Sequence, residues 1–380
     1  MFNRTIIIVG FFLLVLGFTY YSYSQIDLNL TLSTNHWYQQ LQQSLIQLGY
    51  YNRPVSANLL LLFFALFYIA YFYLLTNSSV KITTKFIWGL IGVSLLLLVG
   101  YPAFSHDIFN YLFDARIVTK YGLNPSYFKA LDFPNDPWIR FMRWTHRYYP
   151  YGPGWLLVTL IPSFLGLGKF VWTLLLFKAM FGLFHIGNCW LIFAITQKIK
   201  PKVANRALIF FGLNPMVLFE SLLSPHNEVV MLFFALLSLN LLLQQKSVWS
   251  LITMLISGSI KYVSFIVIPI YLSWRRKIDE HFFMWVYILW LVALIPVIWQ
   301  REPYSWYILP LVGLAAIVYE QKMIRILSVS LSAATLIRYW PFFLFGDYNF
   351  QTTQYQTWAM VLVFIVVSSI SFLLWRKSEN

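Results

Sequence analysis

FIWGLIGVSLLLLVGYPAFSHDIFNYLFDAR, residues 86–116, decides how this chain folds. Residues 86–104 are apolar, close to the roughly 20 residues a helix needs to cross a bilayer. The next residues are His106, Asp107, Asn110, Asp114 and Arg116. A hydrophobic run that empties into titratable side chains places chemistry at a membrane edge.

Runs of the same kind lie on both sides, near 5–24, 56–76, 170–196, 206–223, 228–245, 282–299, 324–344 and 356–375, with a shorter one at 304–319. The stretch 248–273 is long for one span and carries Gly258 and Lys261 at its middle. A charge at mid-bilayer costs at least about 2.5 kcal/mol. Two short helices meeting at Lys261 avoid that cost. The stretch 154–168 is only about 15 residues and suits an interfacial or re-entrant helix. Composition agrees with a membrane body: 59% of the 380 residues are hydrophobic, 20% aromatic and 11% charged, with mean hydropathy +0.67. Soluble domains carry roughly 25% charged residues. A net charge of +14 on so apolar a chain fits cytoplasmic loops and anionic headgroups better than nucleic acid, which is not expected as a partner. The single cysteine, Cys189, reads as a small buried hydrophobe. Residues 1–24 read as an uncleaved signal anchor.

The expectation is therefore an all-α polytopic membrane protein of about 12 spans, one domain over 1–380. If 154–168 does not cross, both termini are cytoplasmic. Arg4, Lys81, Lys85, Lys198, Lys200, Lys202, Arg206, Lys246, Arg275, Arg276, Lys277, Lys322, Arg325, Arg376 and Lys377 then lie inside, more than half of all Lys and Arg. The outer segment 105–169 holds interfacial helices and the polar chemistry.

Four groups of residues carry that chemistry. Asp107, Tyr111 and Asp114 share one face of a short amphipathic helix that Gly122 and Asn124-Pro125 terminate. Ile108, Phe109, Leu112 and Phe113 cover the other face, and the helix is expected to lie on the membrane. Asp107, in its first turn, is either a general base for an acceptor hydroxyl or an aspartate capping a solvated helix. Arg143, His146 and Arg147 precede the turn Tyr149-Pro150-Tyr151-Gly152-Pro153, which suits a phosphate or sugar ring or, equally, an aromatic belt. Asn214-Pro215 precedes Glu220, an acid inside an apolar run, and the turn His226-Asn227-Glu228. His226 with Glu228 leaves a divalent cation open, but two ligands are weak grounds for one. The last group is cationic: Lys261, Arg338, and Arg301 ahead of Tyr304 and Trp306.

These motifs, in this order, resemble the C-type glycosyltransferase (GT-C) superfamily, and most of all bacterial polyprenol-phosphate-mannose-dependent mannosyltransferases. The residues that carry the likeness are His106–Tyr111, Ala115-Arg116, Gly122–Pro125, Tyr149–Pro153, Asn214-Pro215, His226–Glu228, Lys261-Tyr262 and Trp306-Tyr307, through roughly 100–310. The resemblance implies a membrane-embedded hexosyltransferase with a polyprenyl-phosphate-linked donor and a glycan, lipid or protein acceptor. Transfer would invert the anomeric centre, with Asp107 as base and Arg143, Lys261, Arg301 or Arg338 neutralising the departing phosphate. His106, Tyr111, Asp114, Arg116, His146, Tyr149, Tyr151, Glu220, His226, Glu228, Tyr304 and Trp306 would line the substrate cleft. The turn reads His-Asn-Glu where His-Asn-Asp is common. No paired-Asp motif follows Asp107, so no metal cofactor is required by the sequence. The competing expectations are a secondary transporter or lipid flippase, whose sites lie near the midplane between repeated halves, and a non-catalytic envelope assembly protein.

Overall fold

A computed structural model describes residues 4–28, 30–77, 82–274 and 278–377. Lys81 and Arg275–Lys277 lie outside the described residues. Helix follows helix throughout. Arg4–Ser22 (α1), His36–Ile46 (α2), Arg53–Thr76 (α3) and Thr84–Ser94 (α4) lead into the decisive stretch. Then come Asp107–Tyr121 (α5), Pro153–Leu165 (α6), Phe170–Ile199 (α7), Ala204–Gly212 (α8) and Pro215–Leu218 (α9). Glu228–Leu243 (α10), Ser247–Ile260 (α11), Ile268–Ser273 (α12), Glu280–Gln300 (α13) and Leu309–Ile317 (α14) follow. Lys322–Leu336 (α15), Tyr339–Phe345 (α16) and Phe350–Lys377 (α17) complete the chain.

Among the described residues six helices are long and apolar enough to cross a membrane, or seven if one bent pair counts as a span. Six further apolar helices have 10–17 residues, the 13-residue α6 among them. The runs anticipated from hydropathy are all helical, but two of them break. The run at 206–223 bends by 55° at Asn214-Pro215. Pro215 has no N–H to donate, and the Asn214 side chain accepts from the N–H groups of Met216 and Val217 instead. A fresh helical start of this kind redirects the piece that carries Glu220. The run at 86–104 tightens into a 3₁₀ turn at Leu95–Val99 and then runs on without helix to Ser105. The reading of 248–273 as two helices meeting at Lys261 agrees with the structure: α11 ends at Ile260, and Lys261 is extended. Gly258 permits the close return, since any Cβ there would sit 1.9 Å from the Phe265 ring.

The connections gather at two ends. At one, Lys200 pairs with Glu320 (2.6 Å) and Glu280 (3.3 Å), while Lys198 donates to Asn240. At the other, residues 105–151 meet the turns at 224–228, 261 and 302–306. In one respect α5 differs from expectation. It is not a half-solvated helix on a membrane surface: Ile108 to Ile117 are buried on every side. Residues 130–151, α6 and α7 cover what the sequence marks as its polar face. Gly122 closes α5 in the left-handed region (φ 67°), its N–H bonding Val118 and that of Leu123 bonding Ile117.

Candidate active site

Asp107 is the first residue of α5, and its backbone N–H donates to Ser105 Oγ at 3.2 Å. It lines a small cavity of about 50 Å³ together with Asn110, Asp114, Trp144, Arg147 and Tyr151. Asn110 Oδ1 is buried with no hydrogen-bond partner among the described residues. His226 Nε2 lies 3.7 Å from Asp107 Oδ2. On the other side of the ring, His226 Nδ1 is 2.8 Å from Glu220 Oε2, off-line for a hydrogen bond, so the contact is an electrostatic one. The second Glu220 oxygen accepts from Ser305 Oγ and from Tyr339 OH (2.9 Å). A chain Asp107–His226–Glu220 therefore runs from the cavity into the core.

His226 is also one ring of a stack. Trp306 lies on it at 4.2 Å and 18°, Tyr304 lies on Trp306 at 4.2 Å and 8°, and the Arg338 guanidinium sits over Tyr304 at 5.0 Å. Arg338 pairs with Glu302, and Gln356 Nε2 donates to its carbonyl. A cationic imidazole on Trp306 and a guanidinium on Tyr304 are both favoured by the negative ring faces. Lys261 Nζ pairs with Glu228 and lies over Tyr307 at 5.2 Å. Lys261 is brought here by the turn into α6. Gly152 donates to Ile260 O, and a Cβ on Gly152 or Gly154 would fall about 2 Å from Ser259. Glycine is needed at both positions for that approach.

Charges divide the site unequally. Burial, with Asp107 nearby, pushes Asp114 up to about 8, so Asp114 is a neutral acid at pH 7. Burial pushes His106 down to about 4; Asp27 opposes this and Arg143 adds to it. For His226 burial is overcome by Glu220, Asp107 and Glu228, and its pKa is raised. Tyr111 and Tyr151 are held well above the ordinary phenol value, first by burial and then by neighbours that include Asp107 and Glu228. Both carboxylates thus bear on the same two tyrosines.

Asp107, Tyr111, Asp114, Tyr151, Glu220, His226, Glu228, Lys261, Tyr304, Trp306 and Arg338 are brought together. Tyr149 backs the cluster, its ring 5.6 Å from Tyr151. Five residues singled out in the sequence sit elsewhere, among them His106, which lies against Asp27 (3.7 Å) and Tyr101 OH (3.2 Å). Arg116 turns away from Asp107 to pair with Asp136 (2.9 Å), because nine residues along a helix carry it into the C-terminal half of α5. His146 is exposed and contacts Trp144, and Arg301 is exposed at the end of α13. Arg143 pairs with Asp27 (2.5 Å), beside His106 rather than against Asp107. Among the described residues no group of three or more His, Cys, Asp or Glu side chains is arranged to hold a metal ion.

Some residues that hold this arrangement together were not singled out in the sequence. Ser305 and Tyr339 hold Glu220, yet each sits in an apolar setting that reads as packing. Lys178 is the largest omission. It is buried in the first third of α7 and donates to Gly100 O and to Leu223 O (3.0 Å). Those carbonyls lie just ahead of the segments that deliver Asp107 and His226. The Ser224 hydroxyl adds a second tie by accepting from Phe104 N–H. A lysine inside an apolar run was the available signal.

A family model described as alpha-(1->6)-mannopyranosyltransferase, N-terminal domain, matches residues 8–276. The chain belongs to this alpha-(1->6)-mannopyranosyltransferase family. A curated relative, alpha-(1->6)-mannopyranosyltransferase A of Mycobacterium tuberculosis, is 26% identical over 194 residues, which is 48% of this chain and 36% of the relative. The chain thus spans about a third of that relative's length in the matched region. No solved structure matches it. The mannosyltransferase likeness read from the motifs agrees with the family, and membership makes the chain a member of a glycosyltransferase family with a membrane body. The matched residues of the alpha-(1->6)-mannopyranosyltransferase model include Asp107, Glu220, His226, Glu228 and Lys261 and stop before Tyr304.

Proposed function

We propose that this chain transfers a mannosyl residue from a polyprenyl-phosphate-linked donor to a hydroxyl of a glycan, lipid or protein acceptor, with inversion. The observation that carries the reading is Asp107 at a cavity wall, backed by the His226–Glu220 chain and facing the same tyrosines as the Glu228–Lys261 pair. Asp107 takes the proton of the acceptor hydroxyl as that oxygen bonds to the anomeric carbon. The bond from that carbon to the phosphate oxygen breaks, and polyprenyl phosphate leaves with the electron pair. Lys261, partly exposed and paired with Glu228, stabilises the charge that develops on the phosphate. Asp114, neutral at pH 7, donates a hydrogen bond without competing for the proton.

The reading places twelve crossings in the chain, with the short helices tilted, both termini in the cytoplasm and 105–169 outside. The sorting of the connections to two ends supports this. Cysteines introduced singly at 135 and 200 test it: an impermeant reagent applied outside intact cells should label the first and not the second. Labelling of position 200 overturns the orientation.

The direct test is incubation of the purified protein with a panel of polyprenyl-phosphate sugars, with and without EDTA. Mannose transfer or donor hydrolysis is expected only with the mannosyl donor. The rate should not change with EDTA, because Lys261 already engages Glu228 and Glu220 flanks His226. Loss on chelation with recovery on adding Mg²⁺ or Mn²⁺ overturns the metal-independent reading. Inertness towards every donor overturns the transferase reading itself.

A further inference from the structure

A second cavity, of about 430 Å³, opens between the C-terminal half of α5, the end of α6 and the turn Pro137–Phe141. It is separate from the Asp107 cavity and shares no lining residue with it. Its volume lies within the roughly 300–1,000 Å³ of small-molecule sites.

One wall is cationic. Arg116, only 7% exposed, bonds Asp136 through Nε and lies over Trp138 at 3.9 Å. Its two terminal nitrogens make no hydrogen bond among the described residues. Lys120 also pairs with Asp136 (2.8 Å) and is about half exposed. Asp136 is saturated: Arg116, Lys120 and Tyr121 all donate to one oxygen, and Trp138 N–H donates to the other. Burial would raise its pKa, but these donors hold it well below the usual carboxylate range. The wall therefore keeps one net positive charge and an unspent guanidinium fork, the geometry that suits a phosphate. Thr119 and Ser163, whose hydroxyls lie 2.9 Å apart, add neutral donors.

The rim is apolar. Phe164 and Leu167 line the cavity and are 58% and 77% exposed. Phe164 continues a stripe of exposed Leu157, Ile161 and Leu165 along α6. A head that needs one positive charge and a tail that needs a greasy stripe describe an amphiphile.

We propose that this cavity binds the headgroup of a membrane lipid with a phosphodiester of net charge −1. Its tails lie along α6 and its phosphate takes the Arg116 fork. Arg116 is nine residues from Asp107, about 13 Å along the helix. The bound phosphate is thus distinct from a donor phosphate reacting beside Asp107.

The test uses the full chain in detergent and measures lipid retention by native mass spectrometry, without any sugar donor. Offered equal amounts of phosphatidylglycerol and phosphatidylcholine, the protein should retain the anionic lipid at least fivefold over the zwitterionic one. Lys120→Glu reverses the net charge while leaving the Arg116–Asp136 bond, and should bring that ratio near one. Arg116→Gln should do the same, and Lys120→Glu covers the case in which it fails to fold. Equal retention of both lipids by the unaltered protein overturns the proposal, as does an unchanged ratio in Lys120→Glu. Displacement of the lipid by an equal concentration of inorganic phosphate assigns the cavity to a free anion and also overturns it.

Discussion

Asp107→Asn is expected to lower mannosyl transfer by about 10²–10⁴-fold, the range that a positioned general base contributes. The amide keeps the shape of the side chain, and the backbone N–H bond to Ser105 does not depend on the carboxylate. Expression, membrane insertion and a monodisperse profile should therefore be unchanged. Transfer of labelled mannose from polyprenyl-phosphate mannose measures the effect, and unaltered turnover removes Asp107 as base. Asp114→Asn is the informative companion. Asp114 is already neutral at pH 7, so the amide mimics its working form and should cost far less activity. Its raised pKa also has a sign. The folded state holds a proton that the unfolded chain releases near 3.8, so this group's contribution to stability falls as pH rises from about 3.8 to about 8. Asp114→Asn should remove that slope in thermal unfolding curves.

Glu220→Gln should be the most damaging change away from the cavity wall. The side chain is wholly buried and touches His226, Ser305 and Tyr339. Breaking a buried ion pair by removing one partner costs about 3–5 kcal/mol. The pH dependence gives a sharper readout than stability alone. Burial favours neutral His226, but Glu220, Asp107 and Glu228 together raise its pKa above the ordinary 6.5. The stabilisation from the protonated ring is complete below 6.5 and fades as pH climbs through the raised value. Without the Glu220 charge the raised value drops back. Thermal unfolding followed from pH 5.5 to 9 should therefore show a fall above 6.5 in the parent that Glu220→Gln flattens. Parallel curves for the two proteins would mean that His226 does not titrate against Glu220.

The sequence foretold the helices well, since a bilayer demands long apolar runs and leaves few alternatives. It also pointed to Asp107, Glu220, His226, Glu228 and Lys261, because charged residues at the ends of or inside such runs are rare. Two kinds of information were missing. Helical periodicity marks Asp107, Tyr111 and Asp114 as one polar face, but cannot say whether water or protein covers it; here residues 130–151 do. Spacing also cannot tell which of several neighbouring cations turns towards an acid. Arg143 finds Asp27, more than a hundred residues earlier, and Arg116 finds Asp136. Tyr339 was invisible for a related reason: a tyrosine in a run of aromatics reads as packing until its hydroxyl is seen on Glu220.

Lys178 ties two connections, which Phe104 and Ser224 also join directly, to one rigid rod. Its amine grips the Gly100 carbonyl, ahead of Asp107, and the Leu223 carbonyl, ahead of His226. Any lateral shift or rotation of α7 within the bilayer must drag both at once and keep their separation. Pressure from the surrounding lipid would then move Asp107 and His226 as a unit rather than prising them apart. A chimera that imports residues 105–169 from a relative keeps both contacts, because Gly100, Lys178 and Leu223 all lie outside the exchanged segment.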